Sequence, residues 1–157
     1  MDKGDSFQKA KEYAFFLLKF RLRSEEELRC RLKKKFPEAV INATLRFLKE
    51  NNFIDDKIFV KEWIDARLKK PFGIRRIVQE LRLKGVADSV IQETLDRIKG
   101  DYSETQVVQR LAKEKLEALK DCEPLKAKRK VSAYLLRRGF SAETVYEVLN
   151  NLCRQTC

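Results

Sequence analysis

The residues of this 157-residue chain that could take part in chemistry are mostly cations. The chain contains no histidine, which removes the usual general base and the commonest metal ligand. Its four cysteines form no CxxC motif, and we expect reduced thiols partly packed in helices at Cys30, Cys122, Cys153 and Cys157. The adjacent Asp55 and Asp56 fit a helix start better than a metal site. These features predict a protein without catalytic residues, cofactor or metal.

The charge balance indicates what the chain binds. Its 35 basic and 24 acidic residues give a net charge of +11, which favours nucleic acid, an acidic protein surface or an anionic membrane as partner. No apolar run approaches the roughly 20 residues that span a bilayer. The start, MDKGDSFQKAKEYAFFLL, has no signal-peptide cleavage site. We therefore expect no membrane partner and a cytoplasmic protein.

The segment 67–86, RLKKPFGIRRIVQELRLKGV, is the most strongly basic part of the middle of the chain. One acid, Glu80, accompanies seven cations: Arg67, Lys69, Lys70, Arg75, Arg76, Arg82 and Lys84. The spacing of Ile74, Ile77, Val78 and Leu81 predicts a helix with one buried face. Arg75 and Arg82 then form a stripe with no acid between them, which either binds phosphates or carboxylates by charge or is an ordinary solvated face.

Two further basic clusters lie at corresponding places in the chain. Residues 126–138 contain no acid and six cations: Lys126, Lys128, Arg129, Lys130, Arg137 and Arg138. Residues 19–35 contain eight cations against Glu25, Glu26 and Glu27, three acids that suit the start of a helix. Phe72, beside Gly73, is expected to be a packing residue rather than a base-stacking one.

The elements that position these cations are helices. Apolar residues recur with a period of 3.6 nearly everywhere, which predicts about nine helices and no strand. We expect caps or capping boxes at Ser24, Asp55, Asp88, Ser103 and Ser141. Breaks or loops are expected at Pro71, Gly73, Gly85, Gly100, Pro124 and Gly139. The helix after Asp55 should bury Phe59, Trp63 and Ile64.

The helices repeat in groups of three. Leu28, Ile77 and Val131 align, and each is followed four residues later by leucine, at Leu32, Leu81 and Leu135. The same register continues through Phe36, Val86 and Phe140, and then through Ile41, Ile91 and Val145. We therefore predict an all-α fold of tandem three-helix modules, 1–53, 54–100 and 101–157, forming an elongated curved rod.

The segment DDKIFVKEWIDARLKKPFGIRRIVQELRLKG, residues 55–85, resembles the RecX family of recombinase regulators. It matches the family's paired acids, its aromatic helix ending in arginine, its Tyr-Gly-Pro-Arg-Arg-Ile turn and its basic close. Here Phe72 replaces the tyrosine and Ile74 replaces the proline, so a hydroxyl contact and a rigid helix start are absent. SEEELRCRLKKKF (24–36) and YLLRRGFSAETVYEVL (134–149) resemble the middle helices of the flanking modules, so the resemblance covers almost the whole chain.

The resemblance implies a cofactor-free regulator that binds the RecA recombinase filament on DNA, lodges in its helical groove, and lowers ATPase and strand-exchange activity. By this resemblance, the candidate binding residues are the basic residues on the matching motifs, namely Arg67, Arg75, Arg76, Arg82, Lys84, Arg137 and Arg138. We expect a monomer that also binds single- and double-stranded DNA non-specifically. Two alternatives remain open: a stand-alone DNA-binding protein, and a helical adaptor for an acidic protein.

Overall fold

The computed structural model describes residues 3–155, which form nine α-helices and no β-strand. The helices are α1 (Lys3–Phe20), α2 (Glu25–Leu32), α3 (Glu38–Glu50), α4 (Asp56–Leu68), α5 (Ile74–Leu83), α6 (Asp88–Ile98), α7 (Glu104–Ala118), α8 (Pro124–Arg137) and α9 (Ala142–Gln155). These helices confirm the all-α prediction. They form because the 3.6-residue period of the apolar side chains places those side chains on one face of a helix.

The predicted caps at Ser24 and Asp55 are confirmed. Ser24 Oγ accepts from the backbone N–H of Glu27, whose carboxylate accepts from the Ser24 N–H, so the capping box is complete. Asp55 Oδ1 accepts from the N–H of Lys57 at 2.8 Å. Asp56 Oδ1 instead accepts from the N–H of Glu25 at 2.9 Å, so each of the two adjacent acids satisfies the start of a helix.

The later caps follow the sequence prediction less closely. Ser141 caps α9 and Ser103 caps α7, since each hydroxyl accepts from the N–H three residues on. The prediction that Asp88 caps α6 is wrong, because Asp88 is the first residue of that helix and its carboxylate pairs with Arg82. The prediction of a loop at Pro124 is also wrong, because Pro124 begins α8, where its missing N–H costs nothing.

Gly85 ends α5 as predicted. Its φ of +73° lies in the left-handed region, and the N–H of Val86 reaches back to the carbonyl of Leu81. A Cβ at Gly85 would also collide with the side chain of Glu26. Any other residue here would strain the backbone and displace Glu26.

The chain divides into two compact units. Unit 1 is Met1–Trp63 with Leu81–Thr94, and unit 2 is Ile64–Glu80 with Leu95–Cys157. In unit 1, α1, α2 and α3 pack together around a core that includes Leu28, Ile41 and Leu48. In unit 2, α7, α8 and α9 do the same around a core that includes Val131 and Leu149.

The first two aligned positions of the repeat are buried in all three copies. Leu28, Ile77 and Val131 are at most 1% exposed, and all three leucines at the next aligned position are fully buried. Each such side chain contributes about 1.5–3 kcal/mol to stability relative to an exposed one. Phe59 and Ile64 are buried as predicted, whereas Trp63 is only half-buried, stacked on Phe59.

No disulfide joins the cysteines of the described residues to one another. Cys30 is exposed on α2, Cys153 is half-buried on α9, and Cys122 lies in the turn before α8 rather than in a helix. Cys157 lies outside the described residues. Within 3–155 no group of three His, Cys, Asp or Glu side chains could hold a metal ion. None of the described helices combines the length and the apolar character needed to cross a bilayer.

Candidate nucleic-acid and partner interface

Two turns of unit 2 meet at Gly73 and Gly139. The N–H of Gly73 donates to the carbonyl of Arg138 at 2.7 Å. A Cβ at Gly73 would collide with the backbone of Gly139, and a Cβ at Gly139 would collide with Arg76. Gly139 also has a φ of +89°, which favours glycine. The close approach of these turns therefore brings Arg76 and Arg138 to the same place.

The aromatic ring at this place is Phe72, which is 9% exposed and packs as predicted. Three guanidinium groups surround it, with their central carbons 4.1 Å (Arg76), 5.3 Å (Arg138) and 5.5 Å (Arg67) from the ring centroid. Each distance is within the range of a cation–π interaction. We call these four residues, with Glu80, the Phe72 cluster.

Glu80 is the only acid of the Phe72 cluster. Its carboxylate pairs with Arg67 Nε at 2.8 Å and with Arg76 Nε at 3.2 Å. Three positive charges and one negative charge leave the cluster positive. Because a ring orders a guanidinium group without neutralising it, the cluster holds excess positive charge in a fixed arrangement.

Three cations near the Phe72 cluster are exposed. Lys69 and Lys70 follow α4, and Arg75 lies in the first turn of α5. Among residues 3–155, no carboxylate lies within ion-pair distance of these three side chains. They are therefore available to a negatively charged partner.

Arg82 and Lys84 belong to unit 1 and have acidic partners. Arg82 Nε lies 2.7 Å from Asp88 Oδ1. Lys84 Nζ lies 2.9 Å from Glu27 Oε1 and 4.6 Å from the centroid of the Trp63 ring, and its side chain is 22% exposed. The carbonyl of Lys84 accepts from the hydroxyl of Ser24 at 2.6 Å. Lys84 thus joins the end of α5 to the start of α2.

Glu27 is the acid at the centre of unit 1. Burial raises the pKa of this carboxyl group, but hydrogen bonds from Arg21, Lys84 and the Ser24 N–H outweigh burial and lower the pKa to about 2. The guanidinium group of Arg21 approaches both carboxylate oxygens, at 2.9 and 3.1 Å. A carboxylate held this way stays charged and neutralises the cations around it.

Helix α8 carries the cluster of cations that contains no acid. Lys128 Nζ donates to Asn150 Oδ1 at 2.7 Å, whereas Lys126, Arg129, Lys130 and Arg137 are exposed. Arg138, just after α8, contacts Tyr134 as well as Phe72. In the described part of the chain, none of these six side chains forms an ion pair with a carboxylate.

The predicted interface residues thus fall into three groups. The structure brings Arg67, Arg76 and Arg138 together at one ring. It leaves six exposed without a carboxylate partner: Lys69, Lys70, Arg75, Arg129, Lys130 and Arg137. It engages three with other side chains of the protein: Arg82, Lys84 and Lys128.

The sequence did not identify the residues that hold these cations. The sequence predicts Glu27 as a helix-start acid and Asp88 as a helix cap, gives Glu80 no role, and predicts Phe72 as a packing residue alone. Two features of the sequence could have indicated the cluster: several arginines lie near Phe72 in one basic segment, and arginines precede Gly139 in another. The arginines of the two segments come together through the contact between Gly73 and Arg138, which are 65 residues apart in the sequence.

Comparison with known proteins gives consistent matches along the chain. The family models for the first, second and third three-helix domains of RecX match residues 10–48, 55–95 and 102–149. The regulatory protein RecX of Mannheimia succiniciproducens is 35% identical over 88% of this chain and 91% of its own length. That of Clostridium acetobutylicum is 33% identical over 94% of this chain and 71% of its own.

Solved structures share the fold. A crystal structure of regulatory protein RecX aligns with a TM-score of 0.80 over 94% of this chain and 74% of that one, at 24% identity. The crystal structure of RecX from Lactobacillus salivarius aligns with a TM-score of 0.83 over 95% and 97%, at 19% identity. With three domain models matched in order and relatives similar over most of their length, the chain belongs to the RecX family of regulatory proteins.

Proposed function

We propose that this protein regulates the RecA recombinase by binding its filament on DNA. A basic face lodges in the helical groove of the filament and lowers ATP hydrolysis and strand exchange. The protein acts as a cytoplasmic monomer built of modules 1–53, 54–100 and 101–157. It binds DNA phosphates without reading the base sequence.

The observation that carries this proposal is the positive charge that unit 2 leaves unneutralised. Lys69, Lys70 and Arg75 are exposed without a carboxylate partner among the described residues, beside a Phe72 cluster that is itself positive. An ordered arrangement of cations suits a partner with regularly spaced negative charges. A recombinase filament on DNA offers both phosphates and protein carboxylates.

The second candidate is a stand-alone DNA-binding protein. The acid-free α8 supports it, because exposed lysines and arginines bind bare phosphates by counterion release alone. Affinity for a bare oligonucleotide equal to that for the filament, at the same salt concentration, would favour this candidate over filament regulation.

The test is ATP hydrolysis by preformed RecA filaments on single-stranded DNA, titrated with this protein. We expect hydrolysis to fall as the protein is added. The triple variant Lys69→Glu, Lys70→Glu, Arg75→Glu should fold normally and inhibit weakly, because it reverses three exposed charges without touching the core.

The matched control reverses three exposed cations elsewhere, in the variant Arg46→Glu, Lys61→Glu, Lys113→Glu. Its change in net charge is the same, so it separates a local interface from general electrostatic attraction. Unchanged hydrolysis at several-fold excess of the wild-type protein contradicts the proposal. If the two triple variants lose inhibition of ATP hydrolysis to the same extent, the assignment of the interface is contradicted.

A further inference from the structure

The apolar side chains of the groove between α8 and α9 have no role in the interface proposed above. It has a volume of about 440 Å³, and five apolar side chains line it: Leu125, Ala133 and Leu136 on α8, and Tyr146 and Leu149 on α9. Leu125 is 63% exposed and Tyr146 is 49% exposed. Leaving such large apolar surfaces in water is unfavourable, and side chains of this size gathered around a concave surface are typical of binding sites.

The charges at the groove are of one sign. Lys128 and Arg129 line it together with the apolar side chains, and Lys126 and Lys130 are exposed on the same helix. The lining contains no acid, and none of these four cations forms an ion pair within the described residues. The hydrogen bond from Lys128 to Asn150 joins α8 to α9 and holds one ammonium group in place. The groove therefore favours a ligand with an apolar face and negative flanks.

The packing of unit 2 indicates the shape of that ligand. Helix α7 packs against both α8 and α9, whereas the groove is lined by α8 and α9 alone. One side of the helix pair is thus covered by α7, whereas the groove is an uncovered surface on which a further helix could pack. The side chains of that helix at positions i, i+3, i+4 and i+7 would enter between Leu125, Leu136 and Tyr146.

The residues that line the groove also favour a peptide ligand over a nucleic acid. Single-stranded nucleic acid is held by successive aromatic platforms on which bases stack. The groove offers one aromatic ring, Tyr146, among four aliphatic side chains. Aliphatic walls match leucine or phenylalanine side chains of a helix better than planar bases.

We propose that the α8–α9 groove binds an acidic amphipathic helix of a protein partner. This goes beyond the proposed regulation of the filament, which needs only the exposed cations. The apolar side chains of the helix fill the groove, and its carboxylates face Lys128 and Arg129. Lys126 and Lys130 attract the ligand at longer range.

The experiment uses the full chain and fluorescence anisotropy with two labelled 18-residue peptides of identical composition. One has leucines at i, i+3, i+4 and i+7 with glutamates elsewhere, and the other has the same residues in scrambled order. We expect the amphipathic peptide to bind at least tenfold more tightly. The double variant Leu125→Ala, Tyr146→Ala should weaken its binding at least tenfold while folding normally, since both side chains are exposed.

The control variant truncates two exposed aliphatic side chains of unit 1, Ile58→Ala and Leu83→Ala, and should bind like the wild type. Equal binding of the two peptides overturns the proposal, because charge alone would then explain it. Loss of affinity for a dT oligonucleotide in the Leu125→Ala, Tyr146→Ala variant overturns it in favour of a nucleic-acid surface. Conversion of a dimer to a monomer in that variant, measured by sedimentation, overturns it in favour of self-association. The assay contains no filament, so its failure leaves the proposed function intact.

Discussion

Two clusters of cations, one around α2 in unit 1 and one around Phe72 in unit 2, are held by different kinds of partner. Around α2 in unit 1, cations pair with carboxylates: Arg21, Arg29, Lys49 and Lys84 with Glu25, Glu26, Glu27 and Glu38. In unit 2, three guanidinium groups surround the ring of Phe72, and Glu80 pairs with two of them, Arg67 and Arg76. The first arrangement cancels charge, and the second retains it.

This difference teaches that a count of basic residues does not locate an interface. Residues 19–35 carry more cations than residues 126–138, yet two of them, Arg21 and Arg29, pair with the acids of α2. A carboxylate both orders and neutralises a cation, whereas an aromatic ring orders it and leaves its charge for a partner. The Phe72 cluster therefore keeps more of its charge for a partner than the ion-paired cations around α2 do.

The largest expected effect comes from removing the ring that holds the arginines. Phe72→Ala should lower the free energy of unfolding by about 3–5 kcal/mol, because it opens a cavity under three guanidinium groups. Urea unfolding measures the loss. The matched control is Phe20→Ala, whose side chain is 68% exposed and whose removal should change stability by less than about 0.5 kcal/mol. Equal effects of the two substitutions would mean that Phe72 does not organise the cluster.

A smaller loss is expected when the central acid of unit 1 is neutralised. Glu27→Gln should lower the free energy of unfolding by about 1–3 kcal/mol, since Arg21 and Lys84 lose a charged hydrogen-bond acceptor. Glu62→Gln, which removes an exposed acid of α4, should be nearly neutral. A neutral Glu27→Gln would show that the ion pairs of Glu27 add nothing to the stability of unit 1.

The same carboxyl group predicts how stability depends on pH. The pKa of Glu27 is about 2 in the folded protein, below the ordinary 4.5, so the folded state binds this proton less readily than the unfolded state. The stabilisation is complete above pH 4.5 and is lost as the pH falls towards 2. The Glu27→Gln variant should therefore lose less stability than the wild type over this range in urea unfolding. Parallel pH profiles would contradict the assignment.

The parts of this structure that sequence could predict are those set by neighbours in the chain. The capping box of Ser24 and Glu27 spans three residues, and the burial of Leu28 and Leu32 follows from one helical turn. Partners of exposed charges depend on distant contacts instead. Arg82 meets Asp88 because Gly85 turns the chain back, and Lys84 meets Glu27 across 57 residues. Periodicity sets the apolar face of a helix but does not choose the ion pairs on its polar face.

The smallest effect on stability, and the sharpest test of the comparison, comes from neutralising exposed cations in each unit. Lys69→Gln with Lys70→Gln should change the free energy of unfolding by less than about 0.5 kcal/mol. It should reduce the slope of log affinity against log salt by about 1.4 for single-stranded DNA and about 1.8 for duplex DNA, if both lysines contact phosphates. Arg29→Gln with Lys49→Gln removes two cations that face carboxylates in unit 1 and should leave the slope nearly unchanged. Fluorescence titration over a range of salt concentrations gives both slopes. Equal reductions would mean that the acids of unit 1 do not shield its cations from DNA, and that the difference between the two units has no bearing on binding.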